Sequence, residues 1–289
     1  MPIIEPVIRP PAEADSFLLQ VTSGCSSNNC TFCGAYLNKP FSIKDQEEIL
    51  DDIRKGASRF PRTRRVCLLD GDALVMKNDR LVPILKELCA AFPRLARISA
   101  YANGYNISRR SGEELHALYD HKLRLIYMGL ESGNQQVLDR CRKRSTADEM
   151  VEAVQRCARS GIKSSVIILL GLGGRENSSQ HVRDTAAALN RMQPRYLSFL
   201  SLMSIPGTIL HEQIARGEFT ELKPGELLRE AHDMIAGLQL RATIFRSNHA
   251  SNYLPLAGRL PHDKERLLAS LCSALEGKAD LKPDFLRGL

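Results

Sequence analysis

Apolar and polar positions form a pattern that repeats six times. Nearly continuous apolar runs lie at 17–21, 65–69, 97–101, 123–130, 165–170 and 196–202, and between them stand segments with apolar residues at helical spacing. Runs of this kind are what strands covered on both faces look like. Ile49, Leu50, Ile53 and Ala57 line one face of a first helix. A second starts after Asn78, with Pro83 in its first turn and Leu81, Ile84, Leu85 and Leu88 on one side. Thr146 and Glu149 form a capping box before the stripe Met150, Val151, Val154, Cys157 and Ala158, which Gly161 ends. Ser178 or Ser179 caps a fourth helix through Ala186, Ala187 and Leu189. Strands and helices alternating through short joints make a parallel sheet with right-handed crossovers. Six units fit either an open doubly wound sheet or a partial barrel, and periodicity does not choose between them. In both, chemistry belongs at the carboxyl ends of the strands.

Outside the repeat the pattern changes. Residues 1–14 carry four prolines and read as an extended arm. After Pro206-Gly207-Thr208 come helical segments at 209–216, 224–238 and 261–275 and a short β-type run at 242–245. The chain therefore divides into an arm at 1–14, a repeat core at 15–208 and a mostly helical C-terminal extension at 209–289 that is expected to cover the substrate.

Composition narrows the class. A hydrophobic content of 43% and a charged content of 25% describe an ordinary globular protein. The longest apolar runs are too short to span a bilayer, and the first residues lack the features of a signal peptide, so a cytoplasmic location with no membrane partner is expected. Five of the eight cysteines are scattered singly through apolar segments, as reduced thiols are. The net charge of +7 would attract an anionic substrate or nucleic acid. The basic cluster at Arg59, Arg62, Arg64 and Arg65 reads as a solvated face, which disfavours nucleic acid, while Arg140, Arg142, Lys143 and Arg144 follow the rim of the fourth strand, where one of them is placed to pair the carboxylate of an acidic substrate.

The other three cysteines, Cys25, Cys30 and Cys33, follow the first strand with the spacing C-x4-C-x2-C. Structural zinc takes four ligands, and no fourth Cys or His lies near, so a metal held here keeps an open position. The remaining strands deliver Asp70-Gly71-Asp72, Asn103-Gly104-Tyr105-Asn106, Glu131-Ser132-Gly133, Gly171-Leu172-Gly173-Gly174 and Met203-Ser204. The glycines permit close approach of a flat ligand, and Asp72 and Glu131 are suited to accept bonds from an ammonium group or ribose hydroxyls.

Taken together, the cysteine loop with Phe32 before its last cysteine, the Gly71-Asp72 pair and Gly129-Leu130-Glu131-Ser132 resemble the radical S-adenosylmethionine (SAM) superfamily. The resemblance covers residues 17–208. The stretch 161–174 and Pro206-Gly207-Thr208 resemble the branch with anaerobic coproporphyrinogen dehydrogenases and tRNA-modifying radical enzymes. The resemblance implies a partial (β/α)6 TIM-like barrel and a [4Fe-4S] cluster on Cys25, Cys30 and Cys33 whose free iron binds SAM. Reductive cleavage of SAM then gives a 5′-deoxyadenosyl radical that abstracts hydrogen from substrate. It also implies SAM contacts from Gly71 and Asp72 to the methionine ammonium, from Glu131 and Ser132 to ribose or methionine, and from Phe32, Leu169 and Gly171 to adenine, with Asn103 on the same rim. The chain departs from the family in two places. The usual spacing is C-x3-C-x2-C, and Asp72 is shorter than the family's Glu.

Substrate choice belongs to the loops and the extension. Arg246, Asn248, His249, Asn252 and Tyr253 form its densest polar group, with His249 and Tyr253 as candidate catalytic residues for proton and hydrogen transfer. The expected activity is a radical SAM enzyme acting on a small or medium-sized metabolite, with an electron donor such as flavodoxin or ferredoxin. The alternatives are a radical tRNA- or nucleoside-modifying enzyme and a non-enzymatic iron-sulfur or zinc protein.

Overall fold

Each of the six apolar runs is a strand whose ends lie within two residues of the predicted ones. The computed structural model describes residues 3–288. It contains two compact units, the first comprising Met1–Asn29, Cys33–Met128 and Gln155–Ser164, the second Cys30–Phe32, Gly129–Val154 and Ser165–Leu289. The units cut through the repeat rather than dividing at residue 208. Eight of the ten strands among the described residues belong to one mostly parallel sheet.

The first unit holds β1 (Phe17–Gln20), the small pair β2 (Thr22–Ser23) and β3 (Ser42–Ile43), α1 (Gln46–Arg59), β4 (Arg65–Leu69), α2 (Asn78–Ala91), β5 (Arg97–Tyr101), α3 (Gly104–Ser108), α4 (Gly112–Asp120) and most of β6 (Leu123–Glu131). Strands β1, β4, β5 and β6 pair in parallel in that order. Asp45 caps α1 by accepting from the Glu47 N–H, and α1 buries Ile49, Ile53 and Gly56. Position 56 has no room for a side chain, since a Cβ there would lie 2.3 Å from the ring of Phe17. Helix α2 buries the predicted Leu81, Ile84, Leu85 and Leu88. Helices α3 and α4 occupy a stretch where periodicity predicted none; α4 is fixed by a capping box between Ser111 and Glu114.

The arm is tied down as far as it is described. Glu13 has a fully buried side chain and accepts from Tyr127 Oη at 2.6 Å, Arg97 Nη2 at 2.7 Å and Ser16 Oγ at 2.5 Å. Lys39 Nζ donates to the carbonyls of Ile4 and Pro6 at 2.6 and 2.7 Å. Residues 1 and 2 of the predicted arm lie outside the described residues.

The second unit continues with α5 (Gln135–Arg140), α6 (Ala147–Arg159), β7 (Lys163–Leu170), α7 (Gly174–Met192), β8 (Tyr196–Ser201), α8 (Ile209–Ala215), α9 (Pro224–Gly237), β9 (Thr243–Ser247), β10 (Leu256–Leu260) and α10 (Lys264–Leu275), although the last turns of α6 and the first two residues of β7 count with the first. The capping box at α6 is present: Thr146 Oγ1 accepts from the Glu149 N–H at 3.1 Å, and Glu149 Oε2 from the Thr146 N–H at 2.9 Å. Helix α7 begins at Gly174, a turn before the predicted Ser178 or Ser179, because Gly174 at φ +64° turns the chain directly out of the glycine loop. Strands β7, β8 and β9 run parallel, and β10 lies antiparallel on β9 at one end of the strand order. Periodicity predicted no strand at 256–260. On β10 the Arg259 N–H donates to Asp263 Oδ2 at 2.7 Å, its carbonyl accepts from the Asp263 N–H at 2.7 Å, and the Ala257 carbonyl accepts from Arg266 Nη2 at 2.8 Å. Among the described residues no helix is long and apolar enough to cross a membrane.

Candidate active site

In the first unit the cysteine loop is anchored before it begins. Gly24, at φ +74°, donates its N–H to Asp70 Oδ2 at 3.1 Å and accepts the Gly71 N–H at 3.0 Å. Asp70 is the turning point at the end of β4, with φ +69°, a conformation that Asp tolerates better than most residues. Its buried carboxylate also accepts from Gln20 Nε2 and Lys39 Nζ, both at 2.8 Å. One residue on, Gly71 backs onto the first cysteine so closely that a Cβ would lie 2.6 Å from Cys25 Cβ and 2.9 Å from its Sγ. Only glycine fits there.

Asp72 is fully buried. Its Oδ2 accepts from Ser26 Oγ at 2.6 Å, Asn103 Nδ2 at 3.0 Å and Asn106 Nδ2 at 2.5 Å, and its Oδ1 from the Asn103 N–H at 3.3 Å. Burial raises the pKa of Asp72, and these bonds pull it back down. Asp72 and Asn103, chosen separately from two strand ends, are thus joined to each other and to the cysteine loop through Ser26. Asn106 is a partner that the sequence reading did not single out.

In the second unit Cys30 precedes a well-fixed pair. The Thr31 N–H donates to the Cys141 carbonyl at 3.0 Å, and the Thr31 carbonyl accepts from the Leu210 N–H at 2.9 Å. Phe32 and Leu169 pack against one apolar cluster that includes Val137, Cys141, Leu172 and Phe219. Glu131 ends β6 at φ +64°, and the Ser132 N–H donates to the Leu130 carbonyl at 2.8 Å, which makes Glu131 the centre of a strained three-residue turn. Its Oε1 pairs with Lys143 Nζ at 3.0 Å. The pair lies over Gly129, where a Cβ would come within 1.9 Å of Oε1. Ser132 is buried with Oγ 2.7 Å from His181 Nδ1, and the Gly171 N–H, at φ +84°, donates to Glu230 Oε1 at 2.5 Å.

His249 and Tyr253 are held within the extension. His249 Nδ1 lies 2.9 Å from Ser251 Oγ, and burial, then Lys282, lowers its pKa. Tyr253 Oη donates to Asp284 Oδ1 at 2.6 Å and meets Arg287; burial, then Asp284, pushes its pKa up to about 12. Their loop is pinned to the end of β8, where Ser201 N–H donates to Ser251 Oγ at 3.1 Å and Ser201 Oγ to Asn252 Oδ1 at 2.9 Å.

None of the eight cysteines is in a disulfide. Cys67, Cys141 and Cys157 are buried, and burial pushes their thiols up to about 12, so they stay protonated core residues. Cys25, Cys30 and Cys33 are all partly exposed. Among the described residues no group of three or more Cys, His, Asp or Glu side chains converges as a metal site would. The donor set nevertheless suits iron: three accessible soft thiols on a loop that is anchored beside Cys25 and again at Thr31. His181 and Glu230 escaped the sequence reading, although a signal existed. Glu230 occupies a buried register position of α9 with Leu227, Ala231 and Met234, and His181 one of α7 with Val182 and Thr185.

With fold and site in view, the chain is placed by comparison. The family model of the Radical SAM superfamily matches residues 19–187, and the chain belongs to that superfamily, whose members are enzymes. Over 93% of its length it is 24% identical to the biotin synthase of Cyanothece sp., of which it spans 76%. Coproporphyrinogen III oxidase of Escherichia coli matches at a TM-score of 0.58 and 14% identity, over 76% of this chain and 51% of that one. Methylornithine synthase matches at 0.56 and 14%, over 93% and 74%. The radical SAM methyltransferase of Kitasatospora setae, solved with cobalamin and a [4Fe-4S] cluster, matches at 0.55 and 18%, over 70% of this chain and only 37% of its own. The fold is the partial (β/α)6 TIM-like barrel of these enzymes.

Proposed function

We propose that the chain is a radical SAM enzyme that binds a [4Fe-4S] cluster through Cys25, Cys30 and Cys33 and uses SAM to abstract hydrogen from a small or medium-sized metabolite. The observation that carries this reading is the partly exposed cysteine triad inside the family-matched segment, in contrast to three thiols sealed in the core. A cluster held by these three thiolates would supply the electron for reductive cleavage of SAM. The protein's own part is to hold and orient. Gly71, by lacking a side chain, admits Cys25 against the end of β4. Asp72 orients Asn103 and Asn106, whose amides then face the methionine end of SAM through what remains of their bonding capacity. Glu131 and Ser132 serve the ribose or methionine, and Phe32, Leu169 and Gly171 the adenine. His249 and Tyr253 serve the substrate, and Lys143 neutralises Glu131.

The reading extends to a cytoplasmic location and an electron donor of the flavodoxin or ferredoxin kind. Anaerobic purification should give a protein with iron and sulfide and a visible absorbance shoulder that dithionite bleaches, followed by release of 5′-deoxyadenosine from SAM. A colourless zinc protein that releases none refutes the reading. Co-purified RNA whose binding falls steeply with salt would instead assign the substrate to nucleic acid.

A further inference from the structure

Two buried polar side chains of the second unit have no part in the roles above: His181 on α7 and Glu230 on α9. Both side chains are 0% exposed. Glu230 accepts the Gly171 N–H through Oε1 at 2.5 Å and the Ser178 hydroxyl through Oε2 at 2.5 Å. His181 Nδ1 lies 2.7 Å from Ser132 Oγ. That oxygen also accepts the Asn134 N–H at 3.0 Å, and when the serine proton points to Nδ1 the ring carries its own proton on Nε2. Nε2 has no hydrogen-bond partner and stands 3.6 Å from Glu230 Oε1. A buried series results, hydrogen-bonded except at the 3.6 Å step from His181 to Glu230: Asn134 N–H, Ser132, His181, Glu230, Gly171 N–H. Its ends are the turn after β6 and the loop after β7.

Burying a carboxyl group and an imidazole is unfavourable unless their bonds are needed. Here each spends its best bond on a backbone or hydroxyl group at a strand end. The Gly171 N–H is at a left-handed residue, and Glu230 is its acceptor. Glu230 comes from the extension, outside residues 19–187 matched by the family.

We infer that Glu230 and His181 are positioning residues for SAM: from α9 and α7 they hold the Gly171 loop and the Ser132 hydroxyl in the conformation that receives the ligand. This rests on the proposed function, since it takes Ser132 and Gly171 as SAM contacts. It makes the C-terminal extension a part of the cofactor site as well as a cover for substrate.

The test uses the reconstituted holoenzyme and two readouts. The first is amide hydrogen exchange over 171–174 before SAM is added; the second is the equilibrium dissociation constant for SAM, with iron content measured alongside. Glu230→Ala should speed exchange at least tenfold and weaken SAM binding about tenfold at unchanged iron content, as the loss of one buried hydrogen-bond acceptor predicts. Glu230→Gln keeps an acceptor for the Gly171 N–H and should restore both to within threefold of wild type. Asp233→Asn, one turn further along α9 on an exposed position, should change neither. If Glu230→Ala fails to fold, Ser178→Ala removes the second bond to the carboxylate and should still move both readouts about threefold. Wild-type exchange or wild-type SAM affinity in the folded Glu230→Ala protein, or in Ser178→Ala where that variant stands in, overturns the inference. A wild-type holoenzyme that does not bind SAM overturns the proposed function itself, a result distinct from the other two.

Discussion

Replacing Gly71 by Ala tests whether the end of β4 sets the position of the first cysteine. The added Cβ would stand 2.6 Å from Cys25 Cβ, 2.9 Å from Sγ and 3.0 Å from Cα, against an ordinary carbon contact of about 3.5 to 4.0 Å. Cys25 therefore has to retreat by about 1 Å. The backbone cannot yield instead, because Gly71 and Gly24 are bonded at 3.0 Å and Gly24 is held in turn by Asp70, whose carboxylate is itself fixed by Gln20 and Lys39. Metal ligation tolerates errors of about 0.2 Å, so the displaced thiol should be lost as a ligand. Overpacking of this size costs about 1 to 3 kcal/mol, a few degrees in the apo-protein's unfolding midpoint. The assay is iron and acid-labile sulfide per chain after anaerobic reconstitution, with thermal unfolding of the metal-free protein beside it. Gly71→Ala should retain less than half of the wild-type iron. Full iron with an unchanged midpoint would refute the reasoning.

Two further predictions concern buried charge. Burial pushes the Glu230 carboxyl from its ordinary 4.5 up to about 7, partly offset by the bonds from Ser178 and Gly171. The folded state therefore holds this proton more tightly, and its contribution to stability, full below pH 4.5, is lost as pH rises through 7. Between pH 5 and 8 wild type should lose about 2 to 3 kcal/mol relative to Glu230→Gln, read as a growing gap between unfolding midpoints; a gap independent of pH sinks the assignment. Lys39→Met leaves the buried Asp70 carboxylate without its cation and takes the lysine donor from the Pro6 carbonyl and from the Ile4 carbonyl, which keeps Gln20 Nε2 at 3.1 Å. A loss of about 3 kcal/mol in urea unfolding is expected, together with faster protease cleavage of the arm; unaltered unfolding and cleavage would show that the pair holds nothing.

How much of this was readable in the sequence depends on the kind of signal. Strands buried on both faces announce themselves by composition, so 65–69 and 97–101 were read with their observed bounds. Helix α2 was legible because its apolar stripe is unbroken. Strand β10 was not, since Gly258 and Arg259 between two prolines, Pro255 and Pro261, give no alternation to read. The short helices α3 and α4 were missed because they bury too few residues to build a periodic stripe. At the site, residue identities were legible and their bonding was not. Asp72 was chosen for its charge, but only the fold reveals that Ser26, Asn103 and Asn106 engage that charge. The left-handed turns at Asp70 and Glu131 are invisible to patterns that assign such turns to glycine. Lys39 looked like one more lysine, and its burial depends on carbonyls more than thirty residues away in the arm.

The outer side of β10 carries a further consequence. A strand at the end of a sheet offers free N–H and C=O groups to any other chain, and such an edge is a starting point for aggregation. On β10 this invitation is withdrawn from within. Asp263 occupies both the N–H and the carbonyl of Arg259, Arg266 takes the carbonyl of Ala257, and prolines on either side of the strand have no N–H to offer. Substituting Asp263 and Arg266 would bare the Arg259 N–H and the Ala257 carbonyl, while the Arg259 carbonyl keeps the backbone N–H of residue 263, and would touch no residue proposed to meet SAM or the cluster. The two side chains guard solubility, and their loss would appear in light scattering at high concentration.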